Sequence, residues 1–415
     1  MHILVVTQFF PPEMGAPAAR FGDFARFWRG MGHRVTVLTT WPNAPRGRVI
    51  APHRQRAWTS EDHDGVRVIR TPVLALGDRS TNRKALLYAS FAVSALLQGA
   101  LRRLAPDVVV GTAPPPTVAY VSLLLAQRFG VPHVLDIRDI WPEALLNSGR
   151  VRPSLAMATV ERLNTWVLRS SAATTTVTAG KCRRLEELGA PADRVHLIPN
   201  GVDLNAFDRA TREHDAEATQ VLEKAGVPPG ARLLTYAGVF NPPQGLDLVL
   251  DMAATQSDRT DDPLHILLVG DGQLRDHLQR RISRERLKRV HMAAPVRSAL
   301  VAPIYGRSWA SLVVLRRRAD THTIPSKLYE CMAARRPTVV SADGEAAELA
   351  RTADCGPVAA AGTATGLRAQ LDALVDDKAR AEAYAAHGRA YVEAHNDRAA
   401  LSVAFMDVLA RVVAP

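Results

Sequence analysis

The stretch RLLTYAGVFNPPQGLD (232–247) combines the parts of a parallel α/β unit. Its apolar run predicts a buried strand, and Gly238 and Gly245 bound a tight loop that leads into a helix. The same alternation of short apolar runs and helical segments continues along the chain. Because parallel strands require long crossover connections, usually helices, the alternation predicts parallel sheets with helices on both faces.

The apolar runs form two series, one in each half of the chain. The first predicts strands over 2–7, 34–40, 65–73, 107–113, 132–139 and 173–178, with helices near 17–31, 82–103, 116–129 and across 142–170. The second predicts strands over 232–238, 264–272, 289–296, 311–315, 337–342 and 355–361. Between them, the polar stretch 209–220 predicts a linker or a linker helix.

We therefore predict an α/β protein with two doubly wound, Rossmann-like domains that face a central cleft. The first domain is expected over 1–205 and the second over 206–395. A C-terminal helix over 396–415 is expected to pack back on the first domain.

The overall composition narrows the class of protein. With 415 residues the chain is too long for one core, and 47% hydrophobic and 22% charged residues are typical of a soluble globular protein. Three widely spaced cysteines without a CxxC motif fit a reducing cytoplasm, and the N-terminus lacks the basic start of a signal peptide. The net charge of +11 predicts an anionic partner, but dispersed arginines and 6% aromatics argue against nucleic acid.

Ligands of such sheets bind beyond the carboxyl ends of the strands, so the loops at these ends are candidate sites. In the first domain they are QFFPPEMGAPAAR (8–20), where Gly15 allows a close approach, and DIRDIWPEA (136–144), which gathers acids and an arginine. In the second domain they are the loop within 236–247 and VGDGQLRDHL (269–278). Each loop also has a structural interpretation, as a turn or as an ion pair at a helix start.

A further loop, IPSKLYE (324–330), leads into a helix. Apolar spacing predicts this helix from Lys327 onward, with Ser326 as its N-cap. A capping box would place an acid at Tyr329, but the acid is Glu330, so its carboxylate is not committed to capping. It lies one turn from a positive helix end, where a phosphate would dock. The simpler interpretation is a glutamate that only compensates the helix dipole.

The order of these motifs resembles that of the family 4 retaining glycosyltransferases of the GT-B fold, over essentially the whole chain. The motifs IPNGVD (198–203), VGDG (269–272) and PSKLYE (325–330) are specific for the family. DIRDIWPE (136–143) and QFFPPEMGAPAAR (8–20) are specific for the branch that builds colanic acid and O-antigen, exemplified by L-fucosamine transferase-like enzymes. The resemblance implies an acceptor-binding first domain and a second domain that binds a nucleotide-sugar.

The resemblance also implies roles at the donor site. In the family, the glutamate at the position of Glu330 accepts hydrogen bonds from the ribose hydroxyls, for which a carboxylate is a good bidentate acceptor. Ser326, Lys327 and the helix N-terminus would then face the diphosphate. No metal and no cofactor is expected, since the chain has no Asp-x-Asp motif and the nucleotide-sugar is a co-substrate.

The chain departs from the family pattern at two places. His322 replaces a second glutamate, and Val239 and Gln244 stand where an arginine and a lysine usually neutralise the leaving diphosphate. Positive charge is still needed there if no metal takes part. The candidates, in order, are Lys327, Arg316 in the run 316–318, and Arg20 or Arg138.

In related enzymes a histidine or aspartate at a strand end of the first domain contacts the transferred sugar. The matching stretch makes Asp139 the first candidate and Asp136 the second, with Lys327 acting on the leaving group. Retention in the family is described as a front-face reaction that needs no nucleophile, so Asp139 would orient the sugar and stabilise developing charge. The predicted donor-binding residues are Gly15, Arg138, Gly238, Gln244, Gly270, Gly272, Val296, Arg316, Ser326, Lys327 and Glu330.

The sequence allows more than one donor, acceptor and overall function. The branch favours a UDP-linked N-acetylated hexose as donor, and the acceptor is a lipid-linked saccharide or a small molecule such as a secondary metabolite. A non-hydrolysing UDP-N-acetylglucosamine 2-epimerase and a non-enzymatic basic membrane-binding scaffold are alternative functions. The largely apolar stretch 83–103 predicts either a buried helix or one that rests peripherally on the anionic inner face of the cell membrane.

Overall fold

A computed structural model of the chain describes residues 1–44, 47–77, 80–141, 143, 155–255, 264–317 and 321–414. These residues form two compact units, Met1–Pro199 together with Arg398–Pro415, and Asn200–Asp397. Each unit is built around its own sheet. The two sheets confirm the predicted α/β class with two Rossmann-like domains.

The first unit contains an eight-stranded sheet. Its strands are β1 (His2–Val6), β2 (Arg34–Thr40), β3 (Glu61–His63), β4 (Val66–Thr71), β5 (Val108–Ala113), β6 (His133–Ile137), β7 (Ala173–Thr176) and β8 (Val195–Leu197). Their order is β3-β4-β2-β1-β5-β6-β7-β8, and the neighbours are parallel except for the antiparallel pair β3 and β4. β3 escapes prediction because its residues, Glu-Asp-His, carry no apolar signal.

The second unit contains a six-stranded sheet in which all neighbouring strands are parallel. Its strands are β9 (Arg232–Ala237), β10 (Leu264–Val269), β11 (Val290–Ala293), β12 (Ala310–Val314), β13 (Thr338–Ser341) and β14 (Val358–Ala359). Their order is β11-β10-β9-β12-β13-β14, so the direction of winding reverses between β9 and β12. All six strands lie within or next to the apolar runs that predict them.

The α-helices of the described residues alternate with these strands. They are α1 (Ala16–Gly30), α2 (Thr81–Leu101), α3 (Pro116–Phe129), α4 (Leu155–Ser170), α5 (Ala179–Glu187), α6 (Leu204–Glu213), α7 (Asp215–Lys224), α8 (Leu246–Ala254), α9 (Arg275–Arg284), α10 (Val301–Gly306), α11 (Lys327–Ala333), α12 (Glu345–Thr352), α13 (Ala364–Asp376), α14 (Lys378–His395) and α15 (Arg398–Val413). The helical prediction across 142–170 is met by α4, while most of 142–154 lies outside the described residues.

Each sheet is covered on both faces. Successive side chains of a strand point to opposite faces, and in β1 the side chains of Ile3 and Val5 enter one core cluster while those of Leu4 and Val6 enter another. All four are fully buried, which explains why β1 reads as a continuous apolar run rather than an alternating one.

The last helix, α15, belongs to the first unit. The ring of Phe405 packs edge-on against Phe21, Phe24 and Trp28 of α1, at centroid distances of 6.3, 5.6 and 5.3 Å. The indole nitrogen of Trp28 also donates a hydrogen bond to the carbonyl oxygen of Ser402 (3.2 Å). The chain thus returns to its first unit after completing the second.

The polar stretch 209–220 is not a simple linker. It covers parts of α6 and α7, and both helices belong to the second unit. Phe207 of α6 and Ala218 of α7 are buried in one of that unit's core clusters. The stretch looks polar because only one side of each helix faces this core.

Candidate functional site

The predicted donor-site loops of the second unit follow neighbouring parallel strands. Gly238 follows β9, Gly270 and Gly272 follow β10, and Arg316 follows β12. Because the strands are parallel, these loops lie at one edge of the sheet. The loops after β9 and β12 flank the point where the winding reverses, which is where open α/β sheets bind their ligands.

Two of the glycines allow the loops to pack closely. A Cβ at Gly238 would lie 2.6 Å from the Lys327 Nζ, and a Cβ at Gly270 would lie 1.9 Å from the Gly238 carbonyl oxygen. Both glycines have positive φ, +152° and +145°. Side chains at these positions would displace the lysine or separate the two loops, so the tight arrangement depends on glycine.

Lys327 is the centre of the cluster at this edge. Its Nζ donates a hydrogen bond to the Gln244 Oε1 (2.8 Å) and lies 3.7 Å from the centroid of the Tyr236 ring. The Tyr236 hydroxyl donates to the same Gln244 oxygen (3.0 Å). The structure therefore brings together three predicted residues, Lys327, Gln244 and Gly238. Tyr236 was missed because within its strand it reads as an ordinary buried aromatic residue.

The electrostatic state of Lys327 is unusual. Burial lowers the pKa of its amine to about 7, and the nearby Cys331 and Glu330 oppose this shift only in part. Since the Tyr236 ring and the Gln244 amide carry no net charge, they do not neutralise the ammonium. Near neutral pH the amine is therefore poised between its two protonation states, and a bound anion would favour the charged one.

The helix α11 begins at Lys327, as predicted. Ser326 occupies the N-cap position but has helical backbone angles (φ −57°, ψ −29°), and its side chain makes no capping hydrogen bond. Ser326 therefore has the predicted N-cap position, but the prediction that its side chain caps the helix is wrong. Glu330 lies in the first turn of the helix and is partly buried.

The remaining predicted residues of the second unit flank this cluster. The backbone N–H of Arg316 donates to the Pro243 carbonyl oxygen (2.9 Å), which holds its exposed side chain beside the β9 loop. Arg317 is also exposed, whereas Arg318 lies outside the described residues. Val296 is partly buried and packs against the unit's core, so its side chain serves packing.

A pair of side chains that sequence reasoning missed lies at the carboxyl edge of β13. The His322 Nδ1 is 3.1 Å from the Glu345 Oε1, and the backbone N–H of Glu345 donates to the Thr321 carbonyl oxygen (2.8 Å). A Cβ at Gly344 would lie 2.3 Å from that same carbonyl oxygen. A glutamate is therefore adjacent to His322 in space, although the sequence places none at the family position.

In the first unit, Asp136 is fully buried. Its Oδ1 accepts hydrogen bonds from the Arg20 guanidinium (3.0 Å) and the Thr175 hydroxyl (2.9 Å). Arg20 also donates to the carbonyl oxygens of Ile198 and Pro199 (2.9 and 2.8 Å). Through these contacts Asp136 and Arg20 hold the sheet and its following loop together, and this structural role accounts for both charges.

Asp139, the first catalytic candidate, differs from Asp136 in its exposure. Its side chain is 49% exposed, and one oxygen lies 3.3 Å from the Lys181 Nζ. Lys181 is buried and also donates to the Arg138 carbonyl oxygen (2.6 Å). The carboxylate is thus oriented by an ammonium and remains open to solvent. Lys181 was missed, although its position one turn into the helix after β7 is a signal that could have identified it.

Arg138 lies beside these acids in a buried position. It donates to the Pro114 carbonyl oxygen (3.4 Å), and its Nε is 3.8 Å from Asp136. Its Nε and Nη1 have no hydrogen-bond partner among the described residues. Burial lowers the pKa of Arg138, while the neighbouring Asp136 raises it.

Gly15, at the N-cap of α1, has a φ of +119° that favours glycine.

Two features of the described residues concern metal binding and the membrane. No group of three or more histidine, cysteine or acidic side chains that could hold a metal ion occurs in this part of the chain. One helical segment, Asn82–Leu101, has the length and hydropathy of a membrane span. Core helices of water-soluble proteins share this length and hydropathy.

Two family profiles match the chain, one in each half. Residues 15–201 match the profile described as a glycosyl transferase 4-like domain, and residues 231–377 match that of the glycosyl transferases group 1. The chain is 27% identical over 351 residues to the putative colanic acid biosynthesis glycosyl transferase WcaI of Escherichia coli K12. That alignment covers 83% of this chain and 84% of WcaI.

Solved structures share the fold. A sucrose-phosphate synthase from Thermosynechococcus elongatus superposes with a TM-score of 0.75 at 15% identity, covering 99% of this chain and 98% of that chain. Anabaena HepE in complex with UDP and glucose has a TM-score of 0.73 at 15% identity, covering 99% and 100%. At these identities the likeness concerns the fold.

Proposed function

Since this chain is a glycosyltransferase of the family 4 type with the GT-B fold, we propose that it transfers a hexose with retention from a UDP-sugar held by its second unit. The proposal rests mainly on one observation, the cluster of Lys327, Gln244 and Tyr236 at the carboxyl edge of the second sheet. The complex of Anabaena HepE with UDP supports a uridine nucleotide, and the family resemblance favours an N-acetylated sugar.

In this proposal Lys327 neutralises the leaving diphosphate. An amine with a pKa near 7 gains a full charge when the anion binds, so the interaction strengthens as negative charge develops on the leaving group. Arg316, exposed beside the same loop, supplies a second cation. No metal or cofactor takes part, because side chains provide the charge that a magnesium ion supplies in other transferases.

Glu330 recognises the ribose. It lies one turn along α11 from Lys327, so a nucleotide whose diphosphate contacts the lysine places its ribose near the glutamate. A carboxylate that accepts from two vicinal hydroxyls discriminates in favour of a ribonucleotide. Asp139 orients the transferred sugar, with Lys181 holding its carboxylate in place.

The acceptor is proposed to be a lipid-linked saccharide, with a small molecule as the alternative. The outer face of α2 supports a peripheral contact with an anionic membrane on the cytoplasmic side. Leu86, Val93, Leu97 and Leu101 are 48–66% exposed and lie on one side of the helix. Arg83 near its start and Arg103 just after its end are exposed as well. Such an apolar face with basic ends is typical of interfacial helices.

The test is nucleotide binding by calorimetry. Wild-type protein should bind UDP without added metal, and Lys327→Met should weaken binding by about tenfold or more, or ~1.4 kcal/mol. Lys378→Met is the matched control, since Lys378 is 92% exposed on α14 and should bind UDP like the wild type. Failure of the wild type to bind any uridine nucleotide would overturn the proposal.

A further inference from the structure

A cavity of about 240 Å³ in the first unit is surrounded by arginines. Arg29, Arg34, Arg67 and Arg103 line it, and Asp62 is the single acid in the lining. They come from four separate parts of the chain: the end of α1, the start of β2, the start of β4, and the segment after α2. The fold therefore gathers four guanidinium groups that are far apart in sequence.

The cavity is distinct from the candidate site at the carboxyl ends of the strands. His2, Arg34 and Arg67 belong to the beginnings of their strands, and His2 pairs with Arg34 in the parallel register of β1 and β2. The cavity is thus at the amino edge of the sheet. Seven residues of β2 separate it from the opposite edge, a length of roughly 20 Å at ~3.3 Å per residue.

Two of the four arginines, Arg29 and Arg34, are held in place by neutral groups. The Arg29 Nε donates to the Gly65 carbonyl oxygen (3.2 Å). The Arg34 Nη2 donates to the Ala105 carbonyl oxygen (3.3 Å) and lies 2.9 Å from the His2 Nδ1. Within the described part of the chain, none of the four forms an ion pair with a carboxylate. Two of them are therefore anchored with donors to spare, and their charges are not neutralised.

The positive charge of these arginines also affects the pKa of His2, which lines the cavity. Burial, and then the charges of Arg34 and Arg67, lower the pKa of His2, although the hydrogen bond with Ala105 and the charge of Asp107 oppose this. Asp107 accepts a hydrogen bond from the His2 backbone N–H (2.6 Å). Four like charges around one cavity repel one another, and an anion inside it would relieve the repulsion.

We propose that this cavity is a second anion site, which binds a phosphate-bearing ligand. Guanidinium groups match the oxygens of a phosphate in bidentate geometry, and four of them opposite one carboxylate suit a ligand with two or more negative charges. The ligand is either a soluble phosphate compound or the phosphate headgroup of a lipid. Arg103 is the second residue after Leu101, where α2 ends, so the cavity adjoins the end of the helix with the exposed apolar face.

The experiment titrates full-length protein with inorganic pyrophosphate in a calorimeter, at low salt and with excess UDP present. The test variant combines Arg67→Gln with Arg103→Gln, because both side chains are exposed and neither forms a hydrogen bond or an ion pair with the described residues. The control combines Arg162→Gln with Arg183→Gln. Both arginines are exposed, on α4 and α5, and their replacement removes the same amount of charge as the test variant. Circular dichroism melting verifies that both variants are folded.

We expect the control to bind pyrophosphate like the wild type and the test variant to bind about tenfold more weakly or to lose one binding event, with ~1.4 kcal/mol corresponding to tenfold. Equal binding by the two variants would overturn the proposal. The comparison holds whether or not UDP binds, so it is independent of the proposed donor site.

A second arm identifies the source of the phosphate. Both variants are sedimented with phosphatidylcholine vesicles that contain phosphatidic acid. A loss of pelleting in the test variant alone assigns the cavity to a lipid phosphate. Unchanged pelleting, together with weaker pyrophosphate binding, assigns it to a soluble phosphate compound.

Discussion

At the scale of single residues, the donor site depends on a few groups whose environment sets their chemistry. Lys327 is one turn from Glu330 on α11, and its amine is held by an amide oxygen and an aromatic ring rather than by a carboxylate. This surrounding leaves the ammonium available to an anion. By contrast, Arg20 and Asp136 are both buried and form an ion pair with each other.

Replacing Glu330 by Ala should weaken UDP binding by about 1.5–3 kcal/mol, the usual worth of a hydrogen bond to a charged group. The loss should be smaller for 2′-deoxy-UDP, which lacks one of the two hydroxyls. Calorimetry measures both, with Glu223→Ala, an exposed acid on α7, as the control. Unchanged UDP affinity in the Glu330 variant would move the ribose site elsewhere.

UDP binding should weaken as the pH rises above about 7, where the Lys327 amine of the free protein loses its proton. A bound diphosphate raises this pKa, so binding takes up a proton and the affinity falls by up to about tenfold per pH unit. The dissociation constant should be measured from about pH 7 to pH 9. Lys327→Met should show a flat profile over this range, and an equal slope in both proteins would contradict the assignment.

Asp139→Asn should reduce kcat by about tenfold or more, or ~1.4 kcal/mol, while UDP affinity changes little. The amide keeps the shape of the side chain but removes the charge that faces Lys181 and the solvent. Turnover is measured with the donor and acceptor established by mass spectrometry. Asp193→Asn, an exposed acid of the same unit, is the control. A fully active Asp139 variant would exclude a catalytic role.

At the scale of elements, α2 has apolar side chains on two sides. Leu87, Phe91 and Ala95 are buried against the first sheet, whereas Leu86, Val93 and Leu97 face outward. The sequence left a buried and an interfacial helix as alternatives, and the burial pattern has features of both. A helix that covers a sheet in water needs only one apolar side. A second, exposed apolar side is typical of a surface that contacts a partner or a membrane.

Wild-type protein should pellet weakly with phosphatidylglycerol vesicles. Less protein should pellet at high salt, because screening shortens the range of the attraction between the basic ends of α2 and the anionic lipids. Val93→Ser with Leu97→Ser should reduce pelleting because it removes exposed apolar area from this face. Leu124→Ser with Leu163→Ser, exposed residues on α3 and α4, is the matched control. No pelleting of wild type at low salt would favour an acceptor free in solution.

At the scale of the whole molecule, the excess of cationic side chains bears on whether the reaction needs a metal ion. The chain carries a net charge of +11, and cationic side chains are present at the edges of both sheets. If side chains stabilise the leaving diphosphate, as we propose, activity should persist in EDTA. The assay compares turnover in EDTA with turnover in added magnesium or manganese. Activity that EDTA abolishes and a metal restores would contradict this prediction.

The sequence by itself determined the class of fold and most of its elements. Short apolar runs that alternate with longer helical segments are local signals, and every predicted strand of the second series is present. The family motifs likewise pointed to Lys327 and Glu330, because both lie at a helix start that can be recognised locally. Gln244 stood out as a departure from the family pattern. β3 escaped because three polar residues form a strand only when β4 offers them a partner.

Only the tertiary structure decided which polar groups are neutralised and which remain available. Asp136 and Asp139 look alike in sequence, yet one is buried against Arg20 and the other is half exposed. Lys327 meets Gln244 across 83 residues because β9 and β12 are neighbours in the sheet. Burial and pairing are set by strand order and by packing between distant segments, and neither leaves a periodic signal in the chain.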